Sequence, residues 1–276
     1  MIKYIQTTKK IHMENILTHL RAYNVKFTGQ KEVSSHYFYV LEEHKLVGAL
    51  KTTFSWDWAS ISELYYEDLD VLKLLLSKVC EVYKHKATGI KAYSDVMKRY
   101  QDFLAVGFLP AGKISGTVKT RNFYYVENLF FDIISDSKKT IISQPEIDEK
   151  YDEKLKTEIQ QFEKENTVLK KNDDIVIVGL VDGIFAGGVH GEIKKDSMYV
   201  NLLVVNEAYR GKRVGTNLML KLEEEAKKKG VVQIDVGTAE FQAKPFYEKL
   251  GYKVVMATQD FPKGFECYTL IKRLRK

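Results

Sequence analysis

Val205-Asn206-Glu207-Ala208-Tyr209-Arg210-Gly211-Lys212-Arg213-Val214-Gly215-Thr216-Asn217-Leu218-Met219 is the stretch on which the fold turns. An apolar, strand-like run at residues 199–205 precedes it, and Val214, Leu218, Leu222 and Ala226 then repeat at helical spacing. A glycine-containing turn feeding a helix presents unpaired backbone N–H groups at the positive end of the helix dipole. Such a turn suits a phosphate or pyrophosphate. Arg210, Lys212 and Arg213 add charge, and Gly211 and Gly215 let a ligand approach the backbone. The spacing matches neither GxxxxGK followed by Ser or Thr nor GxGxxG, which removes support for ATP and NAD. The competing reading is a basic surface turn capping an amphipathic helix.

Outward from this loop, short strands alternate with helices, predicting an α/β fold with mixed sheets. Helices are expected around Ile16, Leu17, Leu20 and Tyr23, and along Val71-Leu72-Lys73-Leu74-Leu75-Leu76. Another is marked by the stripe Tyr151, Leu155, Ile159 and Phe162. Strands are expected at 37–41, 175–181 and 199–205. The polar run Ser135-Asp136-Ser137-Lys138-Lys139-Thr140 reads as a linker, dividing the chain into 1–136 and 137–276.

The halves repeat one another. Phe103-Leu104-Ala105-Val106-Gly107-Phe108 resembles Tyr247-Glu248-Lys249-Leu250-Gly251-Tyr252 at an offset of 144, which also sets Leu74–Leu76 on Leu218–Leu220 and Ile90 on Ile234. Upstream, Leu64-Tyr65-Tyr66 falls on Leu202-Leu203-Val204 at 138, so the first half lacks six residues where the second has 210–215.

Composition bounds the function. The net charge of +6 is spread over 276 residues, and the basic tail Lys272–Lys276 reads as a solvated terminus, so no nucleic-acid partner is implied. Cys80 and Cys267 form no CxxC or Cys/His cluster, so no metal is expected and both thiols read as reduced. No secretory signal and no membrane-length apolar run is present, which makes a soluble cytoplasmic protein without a membrane partner the expectation. Oligomeric state is not encoded legibly.

The loop, with Arg210 and Gly215 at the ends of an Arg/Gln-x-x-Gly-x-Gly/Ala pattern, resembles the acetyl-CoA loop of the GNAT (Gcn5-related) N-acyltransferases. Arg213 stands where the family's middle glycine usually does. Ala243-Lys244-Pro245-Phe246-Tyr247-Glu248-Lys249-Leu250-Gly251-Tyr252 resembles the family's later helix and following strand, and 260–268 resembles the closing segment of small bacterial members. The resemblance covers residue 142 to the C-terminus and reaches the first half only through the repeat. It implies tandem GNAT-like domains, with transfer from acetyl-CoA to a primary amine by direct attack. Lys212, Arg213, Val214, Gly215 and Thr216 would hold the CoA pyrophosphate, with Arg210 and Gly211 beside them. Leu203, Val204 and Val205 would pair with the pantetheine arm, Val204 or Val205 giving an amide to the thioester oxygen. Ala243 and Tyr247 would complete the site, Tyr247 as general acid to the departing thiolate.

A general base is less legible. Relatives place an acid near Asn201, and asparagine can orient but not take a proton. His190 and Glu192 share one strand face beside glycines, and Glu240 precedes the tyrosine helix; all three are candidates. The first half has no such loop and carries Phe103 at the tyrosine position. It therefore looks like a GNAT fold unable to bind CoA in the usual way. Its aromatics Phe54, Trp56, Trp58, Tyr65 and Tyr66 read as sheet core or as an acceptor-pocket wall. A non-catalytic acyl-CoA sensor or scaffold is the alternative. An aminoacyl-tRNA-dependent transferase fits less well, because the CoA loop is retained.

Overall fold

The computed structural model describes residues 2–29, 31, 33–118, 121–128, 139–166, 173–194 and 196–274. Chain order begins β1 (Lys3–Gln6), α1 (Lys10–Thr28), β2 (Ser34–Glu42), β3 (Lys45–Ser55), β4 (Trp58–Tyr66), α2 (Leu69–Tyr83), β5 (Gly89–Ser94), α3 (Met97–Ala105), β6 (Leu109–Val118) and β7 (Arg121–Asn128). It continues with β8 (Thr140–Gln144), α4 (Glu149–Asn166), β9 (Asp173–Val181), β10 (Ile184–Lys194), β11 (Ser197–Val205), α5 (Val214–Lys228), β12 (Gln233–Ala239), α6 (Lys244–Lys249), β13 (Lys253–Thr258) and β14 (Cys267–Arg273).

Among the described residues the strands form two seven-stranded sheets, ordered β8-β2-β3-β4-β5-β7-β6 and β1-β9-β10-β11-β12-β14-β13. The same topology occurs twice, each sheet antiparallel except for one parallel pair, β4–β5 or β11–β12. This bears out the mixed α/β reading and gives the repeat a structural basis.

The first strand and helix of each unit are exchanged. β1 pairs antiparallel with β9, Lys3 opposite Leu180, and α1 packs Ile16, 0% exposed, against Val178, Phe185 and Val204 of the second sheet. Reciprocally, β8 pairs with β2, Tyr37 opposite Gln144, and α4 buries Leu155 against Tyr37, Tyr39, Leu46 and Ala49 of the first. A division into 1–136 and 137–276 therefore does not follow the sheets: each interval contributes a β-strand and a helix to the other's core. The stripe Tyr151, Leu155, Ile159 is a helix as read, but it covers the first sheet. Of the polar linker, Ser135–Lys138 lie outside the described residues.

Packing also corrects the repeat register. Val71, Leu75, Leu76, Val79 and Tyr83 of α2 occupy the buried positions of Val214, Leu218, Met219, Leu222 and Ala226 of α5, an offset of 143 (214 − 71) rather than 144. The 144 alignment would match fully buried Leu76 with Leu220, which is 49% exposed. In the strands, Ser62 and Asn201 are the residues bulged out of the β3–β4 and β10–β11 pairings, which sets that offset at 139 (201 − 62) rather than 138. With both offsets corrected the first half lacks four residues (143 − 139) before the helix rather than six; the connections, 67–68 against 206–213, differ by six because α2 begins two residues earlier in this register.

Both helical layers follow from amphipathic spacing. Leu218, Met219, Leu222 and Ala226 lie on Ile177, Val189, Met198, Val200, Ile234 and Val236, and fully burying each Leu or Met contributes roughly 1.5–3 kcal/mol. The sheets meet where β6 passes β13, and a Cβ on Gly112 would lie 2.5 Å from Met256 Sδ. Trp58 Nε1 also donates to the Asp260 carbonyl at 2.7 Å, joining the two sheets.

Candidate active site

The site begins with a change of phase at Asn201. Before it, Met198 and Val200 face α5; after it, Leu203 and Val205 do, while Leu202 and Val204 turn toward α1. A bulge adds one residue to one strand, bends it and resets the alternation. β11 is hydrogen-bonded in parallel to β12 only from Ser197–Val200 opposite Gln233–Val236, and beyond the bulge the strands part. Between their free ends lies a cavity of about 560 Å³. Leu203–Val205 form one wall, Gly237–Ala239 the other, and Ala243, Phe246 and Tyr247 lie at the α6 side.

One end of this cleft is the N-terminus of α5, with Arg210 and Gly215 in its lining. No side chain caps the helix, and its first backbone bond runs from Asn217 N–H to the Arg213 carbonyl at 3.0 Å. The N–H groups of Val214, Gly215 and Thr216 thus lack an intrahelical acceptor. Gly211 and Arg213 both have left-handed backbones, φ 75° and φ 59°. Arg213 therefore holds the conformation a glycine would supply, at a cost of about 1–2 kcal/mol. A Cβ on Gly215 would sit 3.3 Å from Val205 Cγ2 and 3.4 Å from Phe246, so this glycine sets how closely α5 approaches the strand. Arg210 stacks 5.0 Å from the Tyr23 ring, and Lys212 Nζ donates to the Ala208 carbonyl at 3.1 Å.

Tyr247 is 5% exposed and lines the cleft. Burial, followed by the neighbouring Tyr199, pushes its phenol above the ordinary tyrosine range, so it holds its proton through neutral pH. The cleft's other walls come from sequence far away. Leu20, Tyr23 and Asn24 reach it from the exchanged α1. Tyr23 donates to the Phe241 carbonyl at 2.9 Å, and Gln242 Nε2 donates to Asn24 Oδ1 at 2.9 Å. The β3–β4 hairpin of the first half brings Trp56 over the opening, its ring 5.4 Å from Phe261 and 6.2 Å from Phe241. Nothing local in the sequence marks Tyr23 or Asn24. Trp56 carried a weak signal as one of the clustered aromatics, of which Phe54 and Trp58 are core.

The proposed bases separate. Asn201 lines the cleft and also a second cavity of about 410 Å³ between the two sheets. Glu192 faces this second cavity, 3.4 Å from Lys194 Nζ. His190 does share Glu192's strand face, yet it lines neither cavity; its ring is buried opposite Val176 and Leu202, with Nε2 3.5 Å from Asp174. Glu240 is exposed at the β12–α6 turn, where its carboxylate accepts from Glu266 N–H at 3.4 Å. Neither His190 nor Glu240 is brought to the cleft.

The matching cleft of the first half is built differently. Asp68 caps α2, its carboxylate accepting from Val71 N–H at 2.8 Å, so the position that α5 leaves open already carries an anion. Tyr66 donates to Asp102 at 2.7 Å, and the Arg99 guanidinium lies 3.9 Å over the Phe162 ring of α4, across the space between the strands. Phe103 is 1% exposed where its counterpart Tyr247 reaches a cavity.

The family model described as Acetyltransferase (GNAT) domain matches residues 136–269. Blasticidin-S acetyltransferase of Streptomyces morookaense is 33% identical over 93 residues, 33% of this chain and 68% of that protein. Acetyltransferase Atu2258 of Agrobacterium fabrum is 30% identical over 103 residues, covering 37% and 75%. A solved acetyltransferase from Bacillus cereus ATCC 14579 shares 27% identity at a TM-score of 0.43, covering 47% of this chain and 95% of its own. The chain belongs to the GNAT acetyltransferase family. Within it, the protein is an enzyme of the N-acetyltransferase type. No helix among the described residues is long and apolar enough to cross a membrane.

Proposed function

We propose that the protein transfers an acetyl group from acetyl-CoA to a primary amine, with one CoA site, in the second sheet. The observation that carries this is continuity. A single cleft runs from the uncapped α5 N-terminus, along the unpaired edge of β11, to the buried Tyr247.

The residues suit that cosubstrate. The N–H groups of Lys212–Thr216 and the cations Arg210, Lys212 and Arg213 would hold the pyrophosphate. The free edge at Leu203–Val205 would pair with the amides of the pantetheine arm, and Val204 or Val205 N–H would face the thioester oxygen. Tyr247, protonated at neutral pH, would donate to sulfur as the C–S bond breaks. The first half would bind no CoA, because Asp68 already occupies the anion position of its helix. Its contribution is Trp56 and the far wall of the second cavity, through which the amine enters. One relative is named as the acetyltransferase of a single compound, blasticidin-S, which favours a small-molecule amine over a protein chain. A cavity of about 410 Å³ has the size of a small-ligand site.

Calorimetric titration with acetyl-CoA tests the reading, on wild type and on Gly215→Glu. Wild-type binding that disappears in a folded variant is the expected result, followed by amine-dependent release of free thiol. Absence of wild-type binding would overturn it.

A further inference from the structure

The second cavity contains a side chain that neither the loop nor the tyrosine explains. Lys91 lies on β5 of the first half, opposite Glu127 of β7. Among the described residues the two form no ion pair. The Lys91 side chain crosses instead to the second half, placing Nζ 2.9 Å from the centroid of Phe261. Phe261, Cys267, Tyr199 and Asn201 each line both this cavity and the acetyl-CoA cleft. Lys91 thus stands one side chain away from the cleft, on the side from which an acceptor would come.

We propose that Lys91 is the general base of the transfer, taking a proton from the acceptor ammonium in the cavity between the sheets. This rests on the acetyltransfer reading above and supplies the base that Asn201 cannot provide. Lys91 Nζ takes one proton from R–NH3+. The freed amine attacks the thioester carbon, forming C–N; collapse breaks C–S. Tyr247 gives its proton to the departing sulfur, and the second proton leaving nitrogen passes to solvent, from which the Tyr247 phenolate is reprotonated.

The surroundings favour a basic, neutral amine. Burial pushes Lys91 down to about 7, against smaller opposing contributions from Cys267 and Glu127, and a base tuned near the working pH is the most effective. The face of Phe261 offsets part of the cost of the charged form, so both protonation states are accessible. Other charged groups facing the cavity are Glu127 on β7, Asp235 on β12, and Glu192 with Lys194 on β10. Burial raises Glu127, and raises Asp235 to about 6 despite a hydrogen bond from Gln233. Burial also holds the Cys267 thiol near 11 and Tyr199 near 12, and Tyr125 above the tyrosine range, so these are neutral at pH 7 beside Tyr93. Carboxylates within mostly apolar, aromatic walls suit an ammonium carried on an aromatic body, an arylalkylamine.

The test uses the full chain with phenethylamine, an ammonium at pH 7, and phenylhydrazine, which is neutral there. Wild type should show kcat/KM for phenethylamine rising through an apparent pKa near 7. In Lys91→Met that limb should vanish and kcat fall about 10²-fold or more. Phenylhydrazine turnover should change less than about threefold, because its nitrogen needs no base. Asp235→Asn and Glu127→Gln should each keep the limb, which separates Lys91 from the two carboxyls raised nearby. A limb that survives in Lys91→Met, an equal loss with both nucleophiles, or acetylated Lys91 found by mass spectrometry would each overturn the assignment. So would failure of a wild type that binds acetyl-CoA to use either nucleophile. Failure to bind acetyl-CoA at all would instead remove the reading on which the assignment rests.

Discussion

Lys91→Met should make the protein more stable while making it a poor catalyst. An ordinary lysine titrates at 10.5, whereas burial brings Lys91 to about 7 in the folded chain. Below the folded value the amine is charged in both states and the fold bears the full cost of burying it. As pH rises through 7 toward 10.5, the folded form is already neutral while the unfolded form still binds a proton. Stability therefore rises with pH across that window. At about 1.4 kcal/mol per unit, the burden is ~4 kcal/mol at pH 7 and ~2 kcal/mol at pH 9. Methionine fills similar space with no charge, so the variant's gain should halve between those pH values. Comparing the two differences cancels the constant effect of the thioether. Urea unfolding of both proteins at pH 7 and 9 measures this directly. The corresponding rise in Tm is about 2–4 °C per kcal/mol for a chain of this size. A gain that does not depend on pH, or a loss at pH 7, would falsify the idea that Lys91 is held as a desolvated amine.

Other substitutions examine the cleft. On the proposed mechanism Tyr247→Phe should lower kcat by roughly 10²-fold with acetyl-CoA affinity nearly unchanged, since the hydroxyl would act only when charge develops on sulfur; rapid-quench kinetics with parallel calorimetry read both. Gly215→Glu sets a Cβ 3.3 Å from Val205 and a carboxylate among the N–H groups proposed to hold the pyrophosphate, so CoA binding should weaken by about 10²-fold or more while far-ultraviolet circular dichroism stays native. Residues 137–276 expressed alone should fail to give a folded, CoA-binding protein, because β9 loses β1 from its outer edge and Val178 and Val204 lose Ile16. Co-expression with residues 1–29 should restore soluble material, and a well-folded isolated 137–276 would contradict the exchange.

The loop from Arg210 to Thr216 and the tyrosine helix were legible because their chemistry is local: glycines, cations and an amphipathic onset lie within a few residues of one another. The phase change at Asn201 was not. A bulge leaves the composition of a strand intact and shows only in which neighbours its side chains meet. His190 illustrates the same limit. Alternation placed it correctly on Glu192's face, but strand position along the sheet decided which of the two reached a cavity. The exchange was equally hidden, since the apolar stripe of α4 fits either sheet and periodicity does not name a partner. Lys91 carries no local signal at all, since only tertiary packing sets its amine in the cavity between the sheets. Tandem architecture was visible in the repeat, whereas its offsets needed buried side chains and strand pairing to fix them within one residue.

The reciprocal exchange of β1 with β8 and of α1 with α4 also has a consequence for biosynthesis. Gln6 leaves the ribosome long before Asp173 is added, on the order of ten seconds or more at ordinary elongation rates. During that time α1 displays Ile16, Met13 and Leu20 with no sheet to receive them. The first sheet, in turn, stays open at β2 until Thr140–Gln144 arrive. Neither unit can close as it emerges: β8 and then β9, appearing in succession near the middle of the chain, supply the missing partners of β2 and β1, and the second sheet is finished only when β13 and β14 follow.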